Sequence, residues 1–216
     1  MRKLPALLAV AISIVVAGCG SSSSSSASPG GSSSSITAAA SSAATTSAST
    51  SGVNPNQRES LPPGDIPDTI AYVPYAVPGA GLTVSTPEGW SRSSAHGTVK
   101  FTDKLNEIRV FTLSASGPIT TASVKRTEVP GIAASVKTFQ LQSISSVSRP
   151  AGSAVRIAYL GDSPPNPVTG KVGTLAFERY DFFHKGREVV LVLSSPKGSD
   201  NVDPWRKVTS SLRFTR

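Results

Sequence analysis

The sequence predicts an α+β domain, and three observations carry that expectation. Short runs of alternating apolar and polar residues recur between glycine- and proline-containing turns from Leu82 onward, the mark of half-buried strands. One run, Val189 to Leu193, is apolar without a break, as expected of a central strand with a layer on each face. Two segments carry helix signals instead, one after Thr120 and one after Asp203.

Taken in order, Tyr72 and Tyr75 mark a short first strand, and Leu82 to Thr86 alternates as a second. Pro87-Glu88-Gly89 turns the chain into Trp90. Val99 and Phe101 share one face of the next strand, and Asp103-Lys104 turns into another, Ile108 to Leu113. Ser116-Gly117-Pro118 breaks the pattern. A helix then fits Thr120 to Glu128, capped by Thr120 or Thr121 and ended by Pro130-Gly131.

Two strands follow, joined at Arg149-Pro150-Ala151-Gly152. Phe139 and Leu141 lie on one face of the first; Val155, Ile157 and Tyr159 share a face of the second. Gly161 to Lys171 reads as a proline-rich loop. Leu175 to His184 is a strand with mixed parity, since Leu175 and Phe177 alternate out of step with Tyr180 and Phe182. Either both its faces are covered or a bulge near Glu178-Arg179 restores one face. Lys185-Gly186 is a two-residue hairpin turn, with glycine suited to positive φ. The last helix has Asp203 as its cap candidate and Pro204 at its first position. Trp205, Val208 and Leu212 form its apolar stripe, while Arg206, Lys207, Thr209 and Ser210 face water. The two tryptophans, Trp90 and Trp205, read as core residues in preference to ligand-stacking ones.

The Pro-Glu-Gly-Trp turn after an early strand, the hairpin from His184 to Arg187, and the final helix with Trp205 and Leu212-Arg213-Phe214 together resemble the PsbP-like fold. Within it the chain resembles actinobacterial cell-envelope lipoproteins of the LpqN kind, over about Leu82 to Phe214. That resemblance implies an antiparallel β-sheet flanked by helices, an α/β/α sandwich, and a binding or accessory role. It carries over no catalytic or ligand-binding residue.

Ahead of the domain, Met1-Arg2-Lys3 is followed by an uncharged apolar run from Leu4 to Val16, too short to span a bilayer stably. It ends at Val16-Ala17-Gly18-Cys19, which resembles the lipobox of bacterial lipoproteins. The resemblance implies cleavage before Cys19, diacylglycerol on its thiol, and an exported protein held by lipid at the outer face of the cell membrane. Two or more acyl chains anchor stably where one holds only marginally. The expected organisation is a leader at 1–18, lipidated Cys19 with a disordered linker to 66, and one globular domain at 67–216. From Gly20 to about Ser60 the chain is almost wholly Ser, Ala, Thr and Gly. Such a stretch buries too little to offset ordering entropy, so it is expected to be a flexible tether of roughly 35 Å root-mean-square reach.

Composition narrows the function classes. Cys19 is the only cysteine, so no disulfide is available, and with His96 and His184 the only histidines a Cys/His zinc site cannot be assembled. No cofactor is expected. The formal charge is +8, of which Arg2 and Lys3 supply two, leaving +6 after the leader. Its cations come as scattered pairs such as Lys125-Arg126 and Arg206-Lys207, without the aromatic-interleaved basic run of a nucleic-acid binder. The partners expected are the membrane, through the lipid, and an envelope protein, lipid or glycan; an anionic wall polymer is one alternative.

One enzymatic pattern competes. Gly161-Asp162-Ser163 and Asp181-Phe182-Phe183-His184 resemble pieces of the GDS-type serine esterases, with serine as nucleophile and histidine as base. The two blocks lie only about twenty residues apart, and Asp181 and His184 differ in parity along one strand. An esterase requires Ser163 Oγ within hydrogen-bond reach of His184. The expectation is therefore a lipid-tethered, non-enzymatic binding or accessory module of the cell envelope, with no catalytic residue and with Cys19 as its one assigned site.

Overall fold

A computed structural model describes Arg58, Ser60 and residues 62–215. The leader, Cys19 and the serine-rich stretch lie outside the described residues. The elements are β1 (Tyr72–Val77), β2 (Leu82–Pro87), β3 (Ser91–Ala95), β4 (Thr98–Asp103), β5 (Asn106–Ser114), α1 (Thr121–Ser135), β6 (Gln140–Arg149), β7 (Gly152–Asp162), β8 (Thr174–His184), β9 (Arg187–Pro196), α2 (Val202–Ser211) and β10 (Arg213–Phe214).

Every paired strand is antiparallel. A seven-stranded sheet runs β3-β4-β5-β9-β8-β7-β6, and a three-stranded sheet runs β1-β2-β10. Tight turns set some of these neighbours, while β5 and β9 meet across a long stretch of chain. Lys185 (φ 48°) and Gly186 (φ 74°) both take positive φ between paired His184 and Arg187, the geometry that matches strand twist in two-residue hairpins. His96 and Gly97 repeat it between β3 and β4.

The expected central strand is β9, between β5 and β8, and its residues Glu188 to Pro196 are all buried. Val189, Leu191 and Leu193 face one layer, where they meet Leu82, Val84, Ile108, Phe182, Trp205, Val208 and Leu212. That layer is the small sheet together with α2. On the other face α1 crosses from β5 to the far edge strand β6. Its Val124 and Ile132 pack with Val155, Ile157 and Tyr159. Burial of each such side chain stabilises by about 1.5–3 kcal/mol, so the two clusters hold the sheet from both sides. Trp90 is half-buried and meets Trp205 edge-on at 6.4 Å, which places both tryptophans in packing.

Several local expectations are corrected. Helix α1 does not stop at Pro130-Gly131 but continues to Ser135, with Val136 N–H donating to Ile132 O. Pro130 lies on its exposed face, and the anchorage of Ile132 and Val136 beyond it keeps the last turn in place. Thr120 is the cap, with the N–H and hydroxyl of Ser123 completing a capping box. Helix α2 begins at Val202 with Asn201 as its cap position, two residues ahead of the expected cap Asp203; Pro204 still sits in the first turn, where its missing N–H is harmless. Thr209 does not face water: it is fully buried and accepts a hydrogen bond from Arg149 Nε. Strand β8 contains no bulge, since it pairs without a register break with β7 and β9 and both of its faces are covered. Strand β3, Ser-Arg-Ser-Ser-Ala, is exposed throughout and has no apolar alternation by which to be found.

Packing also reaches N-terminal to Pro67. Ile66 is buried in the main core, and its N–H donates to Asn201 Oδ1. Asn201 Nδ2 donates to Gly64 O, as does Asn106 Nδ2. Arg58 bonds Gly173 O and Thr174 Oγ1 and pairs with Asp162 at 2.6 Å.

Candidate functional site: a cationic groove beside α1

Helix α1 covers only part of its face of the sheet. Alternation places Glu107 and Arg109 of β5, Lys100 and Thr102 of β4, Phe177 of β8 and Ser194 of β9 on that face, beyond the helix. The uncovered part is a groove of about 650 Å³, open to solvent on one side. Its apolar floor includes Val136, Leu175 and Phe177. Phe177 is held flat against Tyr159, the rings parallel at 4.8 Å.

Charge in the groove is unbalanced. Lys100, Lys104, Arg109 and Lys137 line it, against Glu107 and Asp162. Both carboxylates are already engaged. Glu107 lies 3.1 Å from Lys100 Nζ and 2.9 Å from Arg109 Nε. Asp162 accepts from Thr138 Oγ1 and pairs with Arg58. Burial would raise the Asp162 pKa, but the Arg58 and Thr138 hydrogen bonds outweigh it and hold the carboxyl below its usual value. Neither Lys104 nor Lys137 has an acidic partner within ion-pair distance among the described residues.

Two backbone features shape the rim. Gly161 admits the end of α1: a Cβ there would lie 2.2 Å from Val136 Cγ1. Thr138, which links α1 to β6, takes φ 53°, a strained value for a β-branched residue. Its hydroxyl bond to Asp162, together with Asp162 N–H donating to Lys137 O, holds the junction in that conformation.

A smaller pocket of about 260 Å³ continues along α1, sharing Arg109, Ser135 and Val136 and ending at Glu128 and Arg179. Here one guanidinium faces three carboxylates: Arg179 lies 2.6 Å from Asp181, 2.8 Å from Glu128 of α1 and 2.8 Å from Glu188 of β9. Asp181 is fully buried, and its Oδ2 has no donor among the described residues. Burial pushes its pKa up to about 7 against the opposing pull of Arg179. Glu188 is raised as well, first by burial and then by the charge of Glu128.

The esterase pattern is not assembled. Ser163 N–H donates to Gly173 O beside the start of β8, whereas His184 ends that strand. At about 3.3 Å per residue the ten intervening steps separate them by roughly 33 Å. Ser163 Oγ is occupied, donating to Pro164 O and accepting from Gly173 N–H. Asp181 is locked to Arg179 on the α1 side, and His184 stacks on Phe214 at 3.9 Å. The residues of that pattern thus serve structure. Cys19 lies outside the described residues, and no group of three or more His, Cys, Asp or Glu able to hold a metal ion occurs among them.

The groove was not found from sequence. Its cations are scattered over β4, the β4–β5 turn, β5 and the α1–β6 junction, and only the sheet register brings them together.

No family model matches the chain, and no curated protein matches it. Solved structures of similar architecture exist at low identity. A protein from Bacteroides thetaiotaomicron aligns at 14% identity with a TM-score of 0.46, over 66% of this chain but 48% of its own, so the chain spans about half its length. Cyanobacterial PsbP from Synechocystis aligns at 13% identity with a TM-score of 0.44, over 70% of this chain and 98% of its own. LpqN of Mycobacterium tuberculosis, described as involved in cell envelope biogenesis, aligns at 18% identity with a TM-score of 0.39, over 69% of this chain and 93% of its own.

Proposed function

We propose that this protein is an exported lipoprotein, anchored through Cys19 at the outer face of the cell membrane, whose domain is a non-enzymatic binding or accessory module of the cell envelope. The observation that carries the binding role is the groove beside α1: a concave, solvent-open site of about 650 Å³, within the size range of ligand sites, with an apolar floor and convergent polar groups. The anchor rests on the leader and the Val16-Ala17-Gly18-Cys19 quartet. No described helix is long and apolar enough to cross a membrane.

Two measurements test the reading. A Cys19→Ala variant is expected to lose fatty-acid label and leave the membrane fraction; retention of both refutes the anchor. A photo-crosslinking residue at Leu105, on the groove rim, is expected to capture an envelope component in intact cells. The same residue at exposed Val73 on β1 should not. Equal capture at both positions, or at neither, refutes the groove as the binding site.

A further inference from the structure

We infer that the groove beside α1 binds an anionic glycan, a saccharide chain bearing carboxylate or phosphate groups, with Lys104 and Lys137 supplying the charge that selects it. This rests on the reading of the groove as a binding site and adds the chemistry of its ligand.

The first argument is charge accounting. Four cations and two carboxylates line the groove. Glu107 is shared between Lys100 and Arg109, and Asp162 is taken by Arg58, which comes from outside the lining. The two carboxylates are thus neutralised in place, leaving Lys104 and Lys137 as exposed cations at the rim, without ion-pair partners among the described residues. Unpaired cations converging on a concavity raise the local concentration of anions.

The second argument is the remainder of the lining. Thr102, Ser135 and Ser194 put hydroxyl groups among the cations, beside the partly buried Phe177 ring. Hydroxyl partners with an aromatic platform suit a polyhydroxylated ligand. A concave site is a poor fit to a flat bilayer, which basic and apolar residues reach from protruding surfaces. The acidic cluster at Glu128 and Glu188 closes the α1 end of the seam to an anion. A charged chain is therefore held at the β4–β5 end, over Lys104.

The test uses the full chain in phosphatidylcholine nanodiscs, with oligogalacturonate as the anionic probe and a maltooligosaccharide as the neutral control, read by calorimetry. Oligogalacturonate is expected to bind and the neutral sugar not to bind. A Lys104→Gln/Lys137→Gln double variant is expected to bind about tenfold more weakly and with a shallower salt dependence. Its thermal melt should shift little, since neither lysine lies within ion-pair distance of a carboxylate and Lys137 acts on Asp162 only at longer range. A Lys125→Gln/Arg126→Gln variant, altered on the exposed side of α1, is expected to bind as the wild type. Equal binding of the neutral sugar, or an unaltered affinity in the Lys104/Lys137 variant, overturns the inference. So does lysine-dependent binding to phosphatidylglycerol vesicles without binding to oligogalacturonate, which assigns the groove to a membrane surface. Should the Leu105 crosslink form while oligogalacturonate fails to bind, the ligand class is wrong and the binding role stands; if both fail, the groove itself is not a site.

Discussion

Replacing Asp181 by asparagine should stabilise the protein above neutral pH, although it removes half of a buried ion pair. Asp181 is fully buried, faces Arg179 at 2.6 Å, and shares that guanidinium with Glu128 and Glu188. Its pKa rises from 3.8 to about 7, so the folded state holds the proton more tightly than the unfolded chain. Below about pH 4 both states are protonated and the group is neutral in its effect. Between about pH 4 and 7 the unfolded chain ionises while the folded one does not, and stability falls by about 1.4 kcal/mol per pH unit. Above about pH 7 the full penalty is present, and a rise of about three units corresponds to ~4 kcal/mol. The amide of an Asp181→Asn variant retains an acceptor for Arg179 Nε and offers Glu188 a donor, yet never ionises. Urea unfolding between pH 4.5 and 8.5 should show a shallower decline for the variant and, at pH 8, a gain of about 2–4 kcal/mol. A variant less stable than the wild type at pH 8, with a parallel pH slope, would refute the reasoning, since it would mean that the Arg179 pairing outweighs desolvation.

Three further outcomes are expected. Ser163→Ala removes the acceptor of the buried Gly173 N–H and should lower stability by about 1–3 kcal/mol in denaturant, with hydrolysis of short-chain esters no different from the wild type; ester turnover abolished in the variant would restore the esterase. Gly161→Ala drives a methyl against Val136 and should cost about 1–3 kcal/mol, whereas Gly117→Ala, where a Cβ meets nothing, should shift the melting temperature little. Asn201→Ala strips bonds from both Ile66 N–H and Gly64 O, so amide exchange at Ile66 should accelerate well before that of β9; equal protection in the two proteins would show that Ile66 packing alone holds the segment.

The sheet was legible where local chemistry and burial agreed. Val189 to Leu193 announced the central strand, and Lys185-Gly186 announced the hairpin beside it. The apolar stripe of α2 was also readable, but Thr209 was not, because its burial depends on Arg149 arriving from β6. The extent of α1 was hidden for a related reason. Pro130 stops helices locally, and what carries this one onward is Val136 seated against Gly161, a contact between residues 25 positions apart. The resemblance to GDS-type esterases failed on distance along a strand, which adjacency in sequence does not convey. The groove was illegible altogether: Lys100, Lys104, Arg109 and Lys137 are unremarkable surface cations until the register of β4, β5 and β9 places them around one concavity.

The attachment of Arg58 to the far end of the β7–β8 pair has a mechanical meaning. A load applied from the N-terminal side meets Arg58 and its bonds to Asp162, Gly173 and Thr174 before it meets any strand. Next come Gly64 and Ile66, stitched to Asn201, and only then β1, an edge strand. Load from that side would strain the Arg58 and Asn201 bonds ahead of the pairing of the seven-stranded sheet. Because Arg58 also neutralises Asp162, loss of that ion pair would alter the charge of the groove.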